Sequence, residues 1–421
     1  MFRRLLVANR GEVAARVVRT CRRMGITPVV LASDADASAQ WLAEVEVARL
    51  PGSAPRDTYL DMDLVIAAAK KHACSALHPG WGFLAENALF AARCASEGIR
   101  FVGPSPAAMR RLGNKVASRR TMRSGGVPVL PGSEGVVTLE EARIMAAEAG
   151  YPVLLKARSG GGGRGMRRVY QPEELEAAYA QASAESEAAF GDGGLFVEKY
   201  VEAGRHIEFQ VMADNFGNVT VLGERECSIQ RRHQKLLEES PSPVVDDATR
   251  AALTEAIQRA CRNAGYANAG TVEMLRAPDG GLYFLEMNNR LQVEHPVTEL
   301  VTGLDLVELQ LRVACNEVVK PEFQRRGHAI ECRINAEDPE KDFRPAPGTV
   351  RRLSFPEGEG IRVETHLRAG DTIPPHYDSM VAKLVVHAEN RPAAIARMEA
   401  ALAATQIEGV PTTIALHRKI L

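Results

Sequence analysis

The most specific pattern in the chain runs from Gly270 to His295, GTVEMLRAPDGGLYFLEMNNRLQVEH. Two runs rich in β-branched, aliphatic and aromatic residues flank Asp279-Gly280, and Asp-Gly between such runs is typical of a two-residue hairpin turn. With the turn centred there, Glu273 pairs directly with Glu286, and their Cβ atoms lie about 5 Å apart. The sequence therefore predicts a β-hairpin with two facing carboxylates, which repel each other unless something compensates them.

Polar residues continue at every second position beyond the hairpin: Glu286, Asn288, Arg290, Gln292 and Glu294. Side chains two apart in an extended chain share one face, so the pattern predicts a row of acceptors around a guanidinium. Such a row suits Mg²⁺, which takes one or two carboxylates together with substrate phosphates. The alternative is the solvated face of an edge strand.

The segment EMNNRLQVEHPVTE, from Glu286 to Glu299, resembles the signature of biotin carboxylases, which belong to the ATP-grasp ligases. Asn289 stands where that family usually has Thr, and its side chain is expected to point away from the polar row. We predict that Glu294 is the catalytic base, because bicarbonate must lose a proton and Glu294 shares a face with Arg290, which can hold that anion. The alternative is that Glu294 only pairs with Arg290 structurally. The resemblance also implies that Glu273, Glu286 and Asn288 bind Mg²⁺ or Mn²⁺. Gln292 and Val293 are expected to contact the substrates.

Composition describes an ordinary globular protein of two or three domains, because 421 residues are too many for one core. The 52 basic and 53 acidic residues leave a net charge of −1, which gives no reason to expect nucleic acid or an anionic membrane as partner. The seven cysteines are widely spaced without a C-x-x-C pair, which favours reduced thiols in a cytosol. We expect a cytoplasmic protein, since there is no signal peptide and no apolar run of about 20 residues.

Residues 1–113 alternate short apolar runs with helical patterns: a strand at 5–8, a helix at 11–24 and a strand at 27–32. This alternation predicts a Rossmann-like domain with a parallel sheet. The first turn, ANRGE, lacks the dinucleotide fingerprint, so NAD is not indicated.

HPGWGFLAEN, residues 78–87, resembles a family segment near the active site, with Trp81 where Tyr is usual, and we expect it to support the site indirectly. Residues 114–130 are predicted to form a helical linker, and by resemblance Lys115 reaches the nucleotide phosphates.

Residues 131–202 are predicted to form a lid domain. The glycine-rich loop at residues 158–165 lies between two strands and not before a helix, which excludes a Rossmann loop, and it lacks the lysine of a Walker A loop. A glycine loop between strands can cover phosphates with its N–H groups and a nearby strand lysine. We therefore predict that Gly162, Gly163 and Lys156 bind phosphate in a mobile lid; the alternative is a plain linker.

Residues 203–421 are predicted to form one C-terminal α+β unit with an antiparallel sheet and a helix from Asp246 to Ala264. Residues 231–235 carry a basic cluster, RRHQK, which is a weak indication of a nucleic-acid patch because acidic residues flank it. Here the resemblance implies binding roles instead: Lys235 and Arg333 for the reacting anion and biotin, and Glu198, Lys199, Val201, His206, Gln230 and His233 for the nucleotide.

The resemblance implies an α/β, ATP-grasp fold with a Rossmann-like N-terminal domain, a lid and a C-terminal α+β domain. It implies ATP-dependent carboxylation of biotin with bicarbonate through carboxyphosphate; the alternatives are another ATP-grasp ligase or a homologue that only binds nucleotide. No Met-Lys dipeptide for biotin attachment occurs. We therefore expect the carrier protein and the carboxyltransferase on other chains or on a missing extension, with a homodimer or larger complex. The chain ends sooner than the family suggests, and its final acceptor (acetyl-CoA, another acyl-CoA, pyruvate or another molecule) stays open.

Overall fold

The computed structural model describes residues 2–158 and 165–421, and for Phe190 only the backbone. The predicted phosphate-binding glycines Gly162 and Gly163 lie outside the described residues. Within the described ranges, no helix combines the length and apolar character needed to cross a membrane.

The N-terminal unit is a five-stranded parallel sheet in the order β3-β2-β1-β4-β5, which confirms the predicted Rossmann-like arrangement. Leu5 and Val7 point to the face covered by α1, whereas Leu6 packs with α2 and α3 on the opposite face. This alternation along one buried strand is why both faces carry helices. The elements are β1 (Arg4–Val7), α1 (Gly11–Arg23), β2 (Thr27–Ser33), β3 (Glu46–Leu50), α2 (Met62–Lys71), β4 (Ala76–His78), α3 (Ala88–Ser96) and β5 (Arg100–Phe101).

Two helices then lead to a small lid built on a three-stranded antiparallel sheet in the order β7-β6-β8. Asn114 caps α5 by accepting from the backbone N–H groups of Val116 and Ala117, so the helix begins at Lys115 as the sequence predicts. The elements are α4 (Pro106–Gly113), α5 (Lys115–Ser124), α6 (Leu139–Ala149), β6 (Val153–Ala157), β7 (Met166–Val169), α7 (Leu175–Phe190) and β8 (Leu195–Lys199).

The rest of the chain is organised around one eight-stranded antiparallel sheet in the order β13-β12-β9-β10-β11-β14-β21-β19. Helices α8 and α11 cover parts of its outer face, while α9 lies over the inner face. The main elements are β9 (Arg205–Ala213), β10 (Val219–Arg231), β11 (Gln234–Ser240), α8 (Asp247–Ala264), β12 (Asn268–Arg276), β13 (Leu282–Asn288), α9 (His295–Thr302), α10 (Leu306–Ala314) and β14 (His328–Asn335). The remaining ones are β15 (Glu337–Asp338), β16 (Arg344–Pro345), β17 (Gly348–Thr349), β18 (Arg352–Ser354), β19 (Ile361–Thr365), β20 (Thr372–Ile373), β21 (Met380–Ala388), α11 (Arg391–Ala404), β22 (Gln406–Glu408) and α12 (Ile414–Ile420).

The hairpin of β12 and β13 has the predicted pairing at its functional end, where Glu273 lies opposite Glu286. A bulge follows directly, and Met274 pairs with Phe284. The predicted two-residue turn is wrong: Ala277 and Gly281 close a wider loop in which Gly280, at φ +94°, has the positive φ. The bulge compensates for the wider turn, so the two carboxylates still face each other.

The predicted extended row beyond the hairpin is also wrong, because β13 ends at Asn288 and α9 begins at His295. Residues 289–294 form a loop between them. The backbone of this loop is held by charged groups from distant parts of the chain: Glu86 accepts from the N–H of Asn289, at 2.7 Å, and Lys383 donates to the carbonyl of Val293, at 2.8 Å. The alternating polar residues therefore reach one cavity through a folded loop and not through a strand.

Candidate active site

A cavity of about 550 Å³ lies between the lid, the inner face of the large sheet and the loop of residues 289–294. Of the predicted site residues that the structure describes, all but Lys199 and Val201 line it. The lining predicted residues are Lys115, Lys156, Glu198, His206, Gln230, His233, Lys235, Glu273, Glu286, Asn288, Arg290, Gln292, Val293, Glu294 and Arg333. Residues separated by more than 200 positions thus meet around one space.

The carboxylate of Glu273 is held by three side chains on the cavity wall. Its Oε1 accepts from Gln292 Nε2 at 3.0 Å and lies 3.1 Å from Lys235 Nζ, and its Oε2 lies 3.2 Å from His206 Nε2. Burial opposes ionisation, but Lys235 and then His206 hold the pKa of Glu273 below its ordinary value. Glu273 is therefore a preformed anion.

Glu286 faces the same space with far less compensation. Its side chain is exposed to the cavity, and its pKa is raised by partial burial and then by the negative charge of Glu273. Across the cavity, burial and the neighbouring charge of Lys156 lower the pKa of Lys115. Each group therefore lies near a like charge, an arrangement that a bound cation and phosphates would relieve.

The metal ligands predicted from the sequence are compatible with an oxygen-ligated divalent cation. Glu273 and Glu286 are directly opposed, and Asn288 follows Glu286 on the same face of β13. Asn288 Oδ1 accepts from Arg290 Nη2 at 2.9 Å, which fixes the orientation of the Asn288 amide. Two carboxylates and an amide oxygen are hard ligands that Mg²⁺ prefers.

Glu294 is almost fully buried and shares Lys235 with Glu273. Its Oε1 lies 2.6 Å from Lys235 Nζ, and its Oε2 lies 2.9 Å from Arg333 Nη2. Burial works against the charge, yet Lys235, Arg333 and Arg225 hold the pKa of Glu294 well below its ordinary value. The carboxylate is ionised and oriented by two cations that both line the cavity.

Arg290 does not pair with Glu294, although the sequence placed both on one face. Its Nε donates to Glu86 Oε2 at 2.9 Å, which ties it to the HPGWGFLAEN segment of the N-terminal unit. The bend of the loop after Asn288 separates the two side chains in this way. The segment was expected to support the site only indirectly, but Trp81 itself lines the cavity.

Beneath the cavity lies a buried network of charged and polar residues that the sequence analysis did not single out. Arg225 is fully buried; its Nε lies 2.5 Å from Glu208 Oε1, and its Nη1 donates to Gln210 Oε1 at 2.7 Å. Glu208 in turn lies 2.5 Å from Lys235 Nζ. The signal was present, since His206, Glu208 and Gln210 are polar at every second position of an otherwise apolar strand.

Two adjacent residues of the lid strand β8, Glu198 and Lys199, have different surroundings. Lys156 and Arg119 both form ion pairs with the buried carboxylate of Glu198, and Arg119 is another residue that sequence reasoning missed. Lys199 points elsewhere, because its ammonium group donates to the carbonyls of Gly150 and Tyr151, each at 2.9 Å. Glu198 and Lys199 are consecutive residues of β8, and consecutive side chains of a strand point to opposite faces of the sheet.

The basic cluster of residues 231–235 is divided by the turn between β10 and β11. Arg232 and His233 both have positive φ, as a tight two-residue hairpin turn requires. Arg231 and Arg232 pair with Asp342, whereas Lys235 enters the cavity. Gln230 Nε2 lies 3.1 Å from His206 Nδ1, which joins two of the predicted nucleotide contacts.

Comparison with known proteins gives matches over nearly the whole chain. Three family models match: "Biotin carboxylase, N-terminal domain" at residues 1–109, "Carbamoyl-phosphate synthase L chain, ATP binding domain" at 114–321, and "Biotin carboxylase C-terminal domain" at 331–421. A biotin carboxylase from Nostoc sp. is 48% identical over 100% of this chain and 95% of that protein. One pyruvate carboxylase subunit from Methanothermobacter thermautotrophicus is also 48% identical, over 100% of this chain and 87% of its own length.

A solved structure gives the same result for the fold. The biotin carboxylase domain dimer of Hydrogenobacter thermophilus 2-oxoglutarate carboxylase, in complex with MgADP, ADP and bicarbonate, matches with a TM-score of 0.94. The match has 46% sequence identity and covers 100% of this chain and 94% of the other. These findings confirm the ATP-grasp fold class that the signature at residues 286–299 implied.

Proposed function

The chain belongs to the biotin carboxylase family, and we propose that it uses ATP and bicarbonate to carboxylate biotin held on a carrier protein. The observation that carries this assignment is the pairing of two different carboxylate environments in one cavity. Glu273 and Glu286 face each other in the hairpin, while Glu294 lies between Lys235 and Arg333, and Lys235 is shared by Glu273 and Glu294. The first suits a metal-bound triphosphate, and the second suits a small anion that must lose a proton.

The nucleotide would lie between the lid and the large sheet. Lys115 and Lys156 are near enough to each other for their charges to interact, and phosphate oxygens would neutralise both. By family resemblance, the backbone at Glu198, Lys199 and Val201 contacts the adenine and ribose, together with His206, Gln230 and His233. Gly162 and Gly163 would close over the phosphates.

Glu273, Glu286 and Asn288 would hold Mg²⁺ or Mn²⁺, which supplies neutralisation of the charge that develops on the phosphates. Phosphoryl transfer requires little covalent chemistry from the protein, so position and charge dominate. The residues of this chain therefore act mainly by holding the γ-phosphoryl group and bicarbonate in line.

Glu294 would accept the proton of bicarbonate while a bicarbonate oxygen attacks the γ-phosphorus and ADP leaves. The products of that step are carboxyphosphate, ADP and a protonated Glu294. Lys235 and Arg333 keep Glu294 ionised before the reaction. When these cations turn to the substrate anion, their hold on Glu294 weakens and its basicity rises, which is what a general base needs. By family resemblance, Arg290 would contact the same anion.

Carboxyphosphate then supplies the carboxyl group to N1′ of biotin, with Arg333 near the ureido oxygen: the N1′–C bond forms, the C–O bond to phosphate breaks, and the departing phosphate takes the N1′ proton. We further propose that the carrier protein and the carboxyltransferase lie outside residues 1–421 and that the chain works as a homodimer or in a larger complex. A dimer is named for the Hydrogenobacter domain. The acceptor of the carboxyl group depends on the transferase, and the matched relatives are named for different carboxylases.

The test is ADP release measured with and without bicarbonate. We expect release to depend on bicarbonate and to rise when free biotin is added, because biotin traps the carboxyl group. A parallel reaction with Glu294→Gln controls for contaminating ATPases. Equal ADP release from the unmodified protein in bicarbonate-free buffer would contradict the proposal.

A further inference from the structure

Two more carboxyl groups lie beneath the reaction site, and the steps described above do not use them. Glu238 on β11 and Glu331 on β14 are directly opposed in the antiparallel register, and both are fully buried. Opposed residues of an antiparallel pair have Cβ atoms about 5 Å apart on the same face. Their side chains therefore share one small volume in the floor of the sheet.

Their hydrogen bonds do not balance if both groups are ionised. Glu238 Oε1 accepts from Arg333 Nε at 2.6 Å, but Glu238 Oε2 and both oxygens of Glu331 have no partner among the residues that the structure describes. An ionised carboxylate can only accept, whereas a carboxylic acid also donates. One proton held between the two groups would pair Glu238 Oε2 with one oxygen of Glu331 and would remove the mutual repulsion of the two carboxylates.

The surrounding charges leave this proton in place. Glu331 is faced by Lys383 from β21, by Glu238 from β11, by Arg333 on its own strand and by Glu294 from the loop before α9. Lys383 is already engaged, because its Nζ donates to Val293 O at 2.8 Å and lies 3.0 Å from Glu12 Oε1. Burial raises the pKa of Glu331 well above its ordinary value and raises that of Glu238 to about 7.

We propose that Glu331 is a neutral carboxylic acid that donates a hydrogen bond to Glu238, and that this shared proton positions Arg333 for the reaction. Arg333 Nη2 lies between two carboxylates, 2.5 Å from Glu238 Oε1 and 2.9 Å from Glu294 Oε2. Two negative charges in the floor would draw the guanidinium down, away from Glu294 and the cavity. With one negative charge there, Arg333 is shared between the floor and the substrate anion. Glu331 is thus a positioning residue, and its role in turnover rests on the proposed function.

The first measurement is infrared spectroscopy of the intact protein at neutral pH. We expect a carboxylic-acid C=O band in the unmodified protein that is absent from Glu331→Gln. If the two spectra do not differ in this region, Glu331 is ionised and pairs with Lys383, and the proposal is wrong. The band does not depend on any substrate, so this result stands even if the chain catalyses a different reaction.

The second measurement is thermal stability against pH for the same two proteins. A carboxyl group whose pKa is raised by folding adds stability below its unfolded pKa, and that stability is lost as the pH rises through the folded pKa. Glutamine cannot ionise, so Glu331→Gln should become more stable than the unmodified protein as the pH rises. A Glu331→Gln variant that is less stable at high pH would indicate a structural ion pair with Lys383 and would overturn the proposal.

The third measurement is kcat of two variants of Glu331, one that keeps a hydrogen-bond donor and one that keeps only the size of the side chain. The amide of Glu331→Gln still donates to Glu238, so we expect kcat within roughly threefold of the unmodified value. Glu331→Leu has a similar size but no donor, and we expect the biotin-dependent kcat to fall about tenfold, as for other indirect partners of reactive groups, with MgATP affinity unchanged. Equal kcat in the two variants, both folded, would exclude a positioning role.

Discussion

The two ends of the cavity treat their carboxylates in opposite ways. At the base end, formed by Glu294, Lys235 and Arg333, each charge has an opposite charge within hydrogen-bonding distance, and the pKa of Glu294 is lowered. At the metal end, formed by Glu286, Asn288 and Lys115, burial and like charges raise the pKa of Glu286 and lower that of Lys115. Glu286 lies on β13 and Glu294 in the loop that follows it, so the difference comes from their partners and not from the depth of burial alone.

The protein neutralises the charges of the base end with its own side chains, whereas the charges of the metal end would be neutralised by bound ligands. The base end is a closed set of ion pairs that keeps one carboxylate ionised and oriented. At the metal end, Glu286 and Lys115 each lie near a like charge, and a divalent cation with phosphates would relieve both. Removing a charge should therefore damage catalysis at the base end and should relieve the unliganded protein at the metal end.

The largest effect is expected for Glu294→Gln, which keeps the shape and removes the charge. A positioned base contributes about 10²- to 10⁴-fold, so bicarbonate-dependent ATP cleavage should fall by that factor while MgATP affinity stays near normal. Single-turnover ATP cleavage beside nucleotide binding checks this. Glu255→Gln, an exposed change on α8, is the matched control. Retained cleavage with intact nucleotide binding would remove Glu294 from the base role.

The next effect is expected for Glu286→Gln at the metal end. Loss of one metal carboxylate should lower turnover on the order of 10²-fold, as for loss of other groups that stabilise developing charge, and should raise the concentration of Mg²⁺ that is required. Titration of activity with Mg²⁺ at saturating ATP measures both. A variant with the normal Mg²⁺ dependence would show that Glu273 and Glu286 do not form the metal site.

A smaller effect with the opposite sign is expected in the absence of metal and nucleotide. Folding raises the pKa of Glu286, so its contribution to stability is complete below the ordinary pKa of a glutamate and is lost as the pH rises through the folded value. Glu286→Gln in EDTA should therefore melt at a higher temperature than the unmodified protein at neutral pH, and the difference should shrink toward pH 4. A variant that melts lower at neutral pH would mean that Glu286 is stabilised as an anion by Lys115 and Lys156.

The smallest effect on the cavity is expected for Lys199→Met. Its ammonium group binds two backbone carbonyls away from the cavity, so the loss should lower the melting temperature by about 1–3 °C and leave MgATP affinity nearly unchanged. Lys156→Met, on the neighbouring strand and inside the cavity, is the comparison. Its MgATP affinity should fall at least about tenfold, because a charged contact to phosphate is lost. Similar losses of affinity in both variants would place the Lys199 side chain at the nucleotide.

Local sequence patterns predicted the elements well because their causes are local. The capping residues Asn114 and Asp246 mark the beginnings of α5 and α8 where they were expected. The facing of Glu273 and Glu286 was correct, yet the turn that predicted it was not, since a bulge and a wider turn offset each other. Periodicity cannot detect such a pair of compensating irregularities.

Three features could be predicted from the sequence without any tertiary contact. They are the facing carboxylates of Glu273 and Glu286, the parallel N-terminal sheet and, through the signature at residues 286–299, the family resemblance. Only the tertiary structure decided which charges meet. Glu294 meets Lys235 and Arg333 because β11 and β14 are neighbours in the eight-stranded sheet and the loop of residues 289–294 folds over them. Strand order is set by contacts between residues far apart in the chain, and no short-range preference encodes it. Three further contacts also join residues far apart in the chain: Arg290 pairs with Glu86, Lys199 donates to the carbonyl of Gly150, and Glu331 lies opposite Glu238.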